Sequence, residues 1–294
     1  MKDKIGFIGL GLMGAGMAEN LIGKGWPLTV MAHRRREAVE RLARLGAKEA
    51  KTARALAQES DVVILCVTGS PQVEEIVNGP DGLAAAERPL LIVDCSTSDP
   101  SSTLRLAEAL AKRDVALIDA PLARTPKEAA EGTLDVMIGG SADVVARAKP
   151  ILEAFARRVI HTGPVGSAHT MKLLNNFVSM GYASIYAEAL MLGAKAGLTP
   201  QVMDSVLRGG RMDCGFYQMF FAYALEKDDS LLRFALKNAL KDMTYLASFA
   251  QASEAANPIG AAVRNGFAAA VAAGYGDRFV PVLSEVVAKL NGVP

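Results

Sequence analysis

The sequence is short of charge of one sign. Lys and Arg number 32 against 31 Asp and Glu, a formal net charge of +1. With no surplus of either sign, there is no global electrostatic case for binding nucleic acid or an anionic membrane surface. Cysteine and histidine are also scarce. Cys66, Cys95 and Cys214 form no Cys-x-x-Cys, and His33, His161 and His169 have no ligand spacing, so no metal is expected. Cys66 and Cys95 lie in apolar, strand-like runs, where reduced, buried thiols are the expectation. No run approaches the roughly 18 continuous apolar residues of a spanning helix. The opening Met1-Lys2-Asp3-Lys4 leads into an apolar run too short for a signal peptide. A cytoplasmic protein is therefore expected. At 294 residues the chain can bury a large core without staples, and its length suggests two domains.

Apolar runs at Lys4–Ile8, Leu28–Ala32, Val62–Val67, Leu90–Cys95, Ala116–Ala120, Asp135–Gly139 and Arg158–Thr162 alternate with helical patterns such as Glu37–Leu45, Ser101–Lys112 and Ala142–Ala156. The runs are rich in Val, Ile and Leu without strict alternation, as strands buried on both faces of a parallel sheet should be. The fold class expected for residues 1–163 is α/β, doubly wound. Residues 164–294 lack strand-like runs. Helical stretches are expected at Ser167–Ala196, Pro200–Leu207, Tyr217–Leu225, Leu231–Ala256, Pro258–Ala273 and Pro281–Leu290, an all-α domain built on a long interdomain helix. That helix reads as apolar on most faces, which predicts burial inside the protein or between subunits of a homodimer or homotetramer.

Gly9-Leu10-Gly11-Leu12-Met13-Gly14 fits G-x-G-x-x-G, directly after the strand Ile5–Ile8 and at the start of a helical pattern. In that context Gly9 allows the tight turn, Gly11 the close approach of a pyrophosphate, and Gly14 the helix–strand contact. The helix N-terminus beyond Leu12 and Met13 offers N–H groups to phosphates. The alternative is a glycine turn without a ligand. A carboxylate usually ends the second strand of NAD-selective proteins. Here the strand continues through His33, Arg34 and Arg35, whose side chains suit a 2′-phosphate, so NADP is expected, with NAD possible. The alternative is a solvated basic helix start. Val67 and Thr68, at the end of the third apolar run, complete the nucleotide-facing set.

Lys172, Asn175, Asn176 and Ser179 fall on one face of the long helix, at offsets of three, four and seven from the lysine. A polar stripe on an apolar helix needs partners, and a ligand-filled cleft would supply them. Lys172 sits in the early helical turns, where the dipole and partial burial should favour a neutral amine able to exchange a proton with a substrate oxygen. The bland alternative is a solvated surface cation. His169, three residues earlier, reads as a helix-start residue or a cleft lining.

Taken together, Gly9–Gly14, Asp94-Cys95-Ser96-Thr97, Asp119-Ala120-Pro121, Gly163-x-x-Gly166 leading to Lys172-x-x-Asn175-Asn176, and Phe234…Lys241-Asp242 resemble the β-hydroxyacid dehydrogenases over essentially the whole chain. The resemblance implies a Rossmann-type domain, an all-α domain and hydride transfer between a nicotinamide and a small hydroxyacid or its semialdehyde. It implies Lys172 as general acid/base, Asn175 and Asn176 holding substrate, Ser96 and Thr97 near nicotinamide and substrate, and Lys241 facing the cofactor. One departure stands out. The commonest family pattern after Asp-x-Pro is Val-Ser-Gly-Gly, but here Leu122-Ala123-Arg124-Thr125 follows. This resembles the sulfolactaldehyde reductase branch, whose Arg-Thr pair reads a sulfonate. Arg124 and Thr125 are thus candidate ligands for a substrate anion, and the alternative for Arg124 is a structural pairing with Glu128. Imine reduction and a non-catalytic dinucleotide-binding role are the rival functions. Lys172 speaks against the first, and Lys172 with Asn175 and Asn176 against the second.

Overall fold

The computed structural model describes residues 2–33, 36–86 and 88–293. It divides into two compact units, Met1–Lys172 and Leu173–Pro294.

In the first unit the strands are β1 (Ile5–Ile8), β2 (Leu28–Met31), β3 (Lys48–Ala50), β4 (Val62–Leu65), β5 (Leu90–Asp94), β6 (Val115–Asp119), β7 (Leu122–Ala123), β8 (Leu134–Gly139) and β9 (Ala156–Gly163). They form one sheet in the order β3-β2-β1-β4-β5-β6-β8-β7, with β9 also pairing β8. From β3 to β6 every pairing is parallel, whereas β8 runs antiparallel to β6 and β7. The order reverses between β1 and β4, the crevice where open α/β sheets bind ligands at their strand C-termini.

Burial on both faces explains the unbroken apolar runs. Phe7, Ile64 and Val93 face one core with Met17, Leu21 and Leu42 from helices α1 (Gly14–Gly23) and α2 (Glu37–Arg44). Ile8, Val63 and Ile92 face a second with Leu56, Val73, Val77 and Leu106. Those come from α3 (Ala53–Gln58), α4 (Ser70–Asn78) and α5 (Pro100–Ala111). Helices α6 (Pro126–Glu131) and α7 (Ala142–Leu152) complete the unit. The strands β3 and β7 were not expected. β3 is a three-residue edge carrying Lys48 and Glu49, and β7 has two residues, so neither leaves an apolar run to read.

The remaining helices are α8 (Ser167–Lys195), α9 (Pro200–Leu207), α10 (Gly215–Glu226), α11 (Leu236–Ala252), α12 (Pro258–Ala270) and α13 (Leu283–Leu290). The α8 helix starts in the first unit and continues into the second. The stretch expected as one helix from Leu231 begins only at Leu236, because Ala235 bridges Phe279 in an extended conformation. In the second unit's core, Tyr186 packs its ring within 5.5 Å of Phe220 and 5.6 Å of Tyr217, with Leu173, Met180 and Phe267 around them.

Within the single chain, α8 exposes Leu174, Val178, Tyr182, Ile185 and Leu192, and buries Leu173, Met180, Ala183 and Ala187, so the protein's own interior takes up only one of its sides. One side of a helix is all that its neighbours in a single bundle can cover. By length and composition α8 could cross a membrane, but its buried residues belong to the second unit's core.

Replacing Phe220 with Ala should cost about 3–5 kcal/mol of stability, because its ring is fully buried among aromatic neighbours. Calorimetric unfolding would register this as a clear drop in Tm.

Candidate active site

The glycine turn follows β1 at the sheet's reversal point. Gly9 has φ +104°, and a Cβ there would lie 2.2 Å from the carbonyl oxygen of Cys66. At Gly14 a Cβ would meet the Gly9 oxygen at 2.0 Å. At Gly11 nothing lies within 4 Å. The turn therefore packs tightly against the protein on two sides and leaves open space at its middle glycine. Leu12 is exposed and Met13 half-buried at the mouth of α1. This is the geometry that a backbone cradle for a pyrophosphate requires, so the residues present fit a dinucleotide. At the end of β2, Ala32 is half-buried and His33 exposed, with no carboxylate before Glu37 in the sequence. Arg34 and Arg35 lie outside the described residues. Arg36 is engaged elsewhere, in a two-pronged pair with Glu49 at 3.0 and 3.1 Å.

At the C-terminal ends of β5 and β6, two carboxylates organise the adjoining loops. Asp94, 2% exposed, accepts from the Ser96 N–H at 2.9 Å and from the Ser98 hydroxyl at 2.8 Å. The buried Ser96 hydroxyl accepts from the Val67 N–H at 3.0 Å, tying the ends of β4 and β5 together. Thr68 is exposed and Thr97 half-buried beside them. Asp119, fully buried, accepts from the N–H groups of Gly166 and His169, each at 2.8 Å, and so caps α8. His169 is a helix-start residue in this sense. Burial, together with Cys66 and Asp94 nearby, pushes the Cys95 thiol well above its ordinary value, as expected of an inert structural cysteine.

Lys172 is half-buried in the second turn of α8. Further along, Asn176 is 6% exposed and donates from Nδ2 to Asp242 Oδ2 at 2.6 Å. Asp242 Oδ1 lies 2.8 Å from the Lys241 ammonium, which in turn lies over the Tyr245 ring. Asn175 is exposed and donates to Asn176 Oδ1 at 3.2 Å, while the Ser179 hydroxyl donates to the Asn175 carbonyl at 3.0 Å. The polar stripe expected to need a ligand for satisfaction thus has protein partners. Because a carboxylate only accepts, Asp242 also decides which end of the Asn176 amide faces it.

Thr125 and Arg124 sit between β7 and α6. Thr125 is the N-cap of α6: its hydroxyl accepts from the Lys127 N–H and donates to Glu128, whose carboxylate also takes the Thr125 N–H at 3.0 Å. Burial would raise Glu128, but the Thr125 hydrogen bonds outweigh it and lower its pKa. The Arg124 charge also lowers Glu128, but the ion pair that Arg124 makes is with Asp135. The Arg124 Nε is 3.9 Å from Asp135, and one of its terminal nitrogens donates to the Thr133 carbonyl. Asp135 is shared with Arg157, whose hydrogen bonds hold its carboxyl below the usual range. Arg124 itself has φ +85°, a left-handed conformation that favours glycine.

Asp94, Asp119 and Asp242 lie in segments that carry the family resemblance, yet no role for their carboxylates was expected. Their signal was present, an acid ending an apolar strand or lying within an apolar helix, where only a partnered charge is tolerated.

Comparison with known proteins also divides the chain in two, a few residues earlier, at the start of α8. The NAD binding domain of 6-phosphogluconate dehydrogenase matches residues 4–163. The NAD-binding domain of NADP-dependent 3-hydroxyisobutyrate dehydrogenase matches residues 166–281. The chain belongs to the β-hydroxyacid dehydrogenase family. It is 33% identical to an NAD-dependent L-serine dehydrogenase of Pseudomonas aeruginosa, over 98% of this chain and 99% of that protein. It is 31% identical to the 3-sulfolactaldehyde reductase of Escherichia coli, over 92% and 91%. A crystal structure of a 3-hydroxyisobutyrate dehydrogenase from Salmonella typhimurium superposes with a TM-score of 0.85 at 27% identity, covering 96% of this chain and 99% of that one. Imine reductases share the fold more distantly, for example at a TM-score of 0.64 and 18% identity. The protein is an NAD(P)-dependent oxidoreductase of this family, with a Rossmann-type first unit and a helical second.

The open space at Gly11 makes a specific expectation. Gly11→Ala should leave Tm within about 2 °C of wild type, because the added Cβ meets nothing in the protein. It should weaken NADPH binding by about tenfold or more by occupying the phosphate approach, as fluorescence titration would report.

Proposed function

We propose that the protein is an NADP-preferring dehydrogenase of a small anionic β-hydroxyacid, or a reductase of the matching semialdehyde. The observation that carries the substrate reading is Arg124. A non-glycine residue in the left-handed region costs about 1 kcal/mol. Here that cost is borne by an arginine on an exposed loop whose ion pairs are worth little to stability. A side chain kept at such a position is better explained by what it binds. Its planar fork suits a carboxylate or sulfonate. The NADP reading rests on the absence of an acid at the end of β2 and on the basic run His33-Arg34-Arg35. The NAD-dependent serine dehydrogenase relative pulls the other way, and the sequence at the strand end outweighs it.

In the reduction direction, a reduced nicotinamide dinucleotide held at Gly9, Gly11 and Gly14 would supply a hydride to the carbonyl carbon. Lys172 gives a proton to the substrate oxygen as it gains charge, and takes it back in oxidation. Asn176, held by Asp242, orients the substrate with Asn175 and Ser179, and Ser96 and Thr97 shape the pocket at the end of β5. Arg124, beside the α6 cap at Thr125, anchors the distal anion. Lys241 faces the cofactor. No metal takes part in this scheme, and no nucleic acid or membrane partner is required. The exposed Val178, Tyr182, Ile185 and Leu192 on α8 support a homodimer or homotetramer in which a second copy covers them, and a cytoplasmic location is proposed from the sequence alone.

Initial rates of NADPH and NADH oxidation with sulfolactaldehyde, methylmalonate semialdehyde, succinic semialdehyde, tartronate semialdehyde and glyoxylate test the reading. One anionic aldehyde should turn over, with NADPH preferred. Lys172→Ala should lower kcat by at least about 100-fold with NADPH affinity intact, and turnover near wild type would end the lysine mechanism. Arg124→Gly should leave Tm unchanged or raised while KM for the anionic substrate rises about tenfold or more. An unchanged KM would return Arg124 to a structural role.

A further inference from the structure

Among the described residues, His169 is a buried titratable group, with a ring contact on each nitrogen, that the scheme above does not use. It is fully buried, and both ring nitrogens are engaged. Nε2 lies 3.2 Å from the carbonyl oxygen of Ser96, and Nδ1 lies 2.8 Å from the Thr103 hydroxyl. A carbonyl only accepts, so Nε2 carries a proton, and the Thr103 hydroxyl, which also lies 3.2 Å from the Asp99 carbonyl, is the hydrogen-bond partner of Nδ1. Asp94 Oδ2, 3.8 Å from Nε2, favours a proton on that nitrogen.

Three elements meet in this imidazole. Ser96 belongs to the loop after β5, Thr103 to the first turn of α5, and the His169 backbone N–H is itself held by Asp119 at the end of β6. The ring therefore fixes the first turn of α8 to the loop carrying Ser96 and Thr97. Lys172 is three residues further along, on the next turn of the same rigid helix. We infer that His169 is a positioning residue: its imidazole, bridging the Ser96 carbonyl and the Thr103 hydroxyl, sets where Lys172 stands relative to the Ser96–Thr97 loop. The inference rests on the reading of Lys172 as the proton-transfer group. Catalysis is sensitive to such placement, since a displacement near 1 Å at a distance from the chemistry can cost about 100-fold in rate.

His169→Leu removes both ring contacts, whereas His169→Gln keeps an N–H donor close to the place of Nε2. Two readouts are taken on each: kcat and the KM for NADPH in the reduction of succinic semialdehyde, and the rate of reductive methylation of Lys172 followed by peptide mass spectrometry. The second needs no substrate and uses the exposed Lys48 as an internal standard. His169→Leu should lower kcat by about tenfold or more with the NADPH KM within about twofold, and His169→Gln should recover to within about threefold of wild type. Lys172 labelling should change by about threefold or more in the Leu variant and return in the Gln variant, with Lys48 unaltered. A protein inactive on this aldehyde is decided by the labelling alone.

The inference is overturned if the Leu variant keeps wild-type labelling of Lys172, or if the Gln variant is as impaired as the Leu variant. Should the Leu variant fail to fold, Thr103→Val removes the hydroxyl that is hydrogen-bonded to Nδ1, with little change in shape. A shift of Lys172 labelling in Thr103→Val supports the inference, and wild-type labelling ends it. Lys172→Ala separates the two readings. Wild-type turnover in that variant ends the lysine mechanism, while the labelling of the histidine variants still reports whether the ring places the helix.

Discussion

The carboxylate of Asp119 is the contact on which the candidate chemistry depends. It is fully removed from solvent, and a charge so placed is tolerated only with complete hydrogen bonding. The N-terminus of α8 provides this, through two N–H groups that have no partner within the helix and a dipole whose positive end faces the acid. The exchange is reciprocal. The acid obtains its donors, and the 29-residue helix obtains a fixed origin at the end of β6. The first turns of α8, from His169 to Lys172, are positioned from that origin, since a helix transmits placement along its length.

Two further carboxylates repeat the device. Asp94 closes the loop after β5 around Ser96 and Ser98, and Asp242 turns the amide of Asn176. In each case a buried acid holds a polar group that is itself a candidate for contact with substrate or cofactor. The price in desolvation is met by neutral N–H and O–H donors, supplemented at Asp242 by Lys241.

Much of the fold was legible because its causes are local. The apolar runs at β1, β4 and β5 reflect burial on both faces, and the glycine spacing after Ile8 reflects contacts that exclude a side chain at Gly9 and Gly14. The parts that were not legible have causes elsewhere in the chain. The edge strand β3 exists because β2 offers it a ladder, not because Lys48 and Glu49 favour a strand. Ala235 leaves the helical path because Phe279 pairs with it. Candidate site residues were found by type and spacing, but the partners that orient them were not. Asn176 and Asp242 are 66 positions apart, and His169 and Ser96 are 73. The exposed side of α8 was legible only as apolar, since an apolar residue in sequence does not say which neighbour covers it, within the chain or from another copy.

The left-handed backbone at Arg124 has a consequence for how such a loop can change over time. The chain there follows the path that a glycine would take, so an arginine is accommodated without redrawing β7 or the cap of α6. Glycine and arginine codons differ by a single base. A loop of this shape can therefore gain or lose a cation in one mutational step, at a cost of about 1 kcal/mol. The charge at its tip is separable from the architecture that presents it.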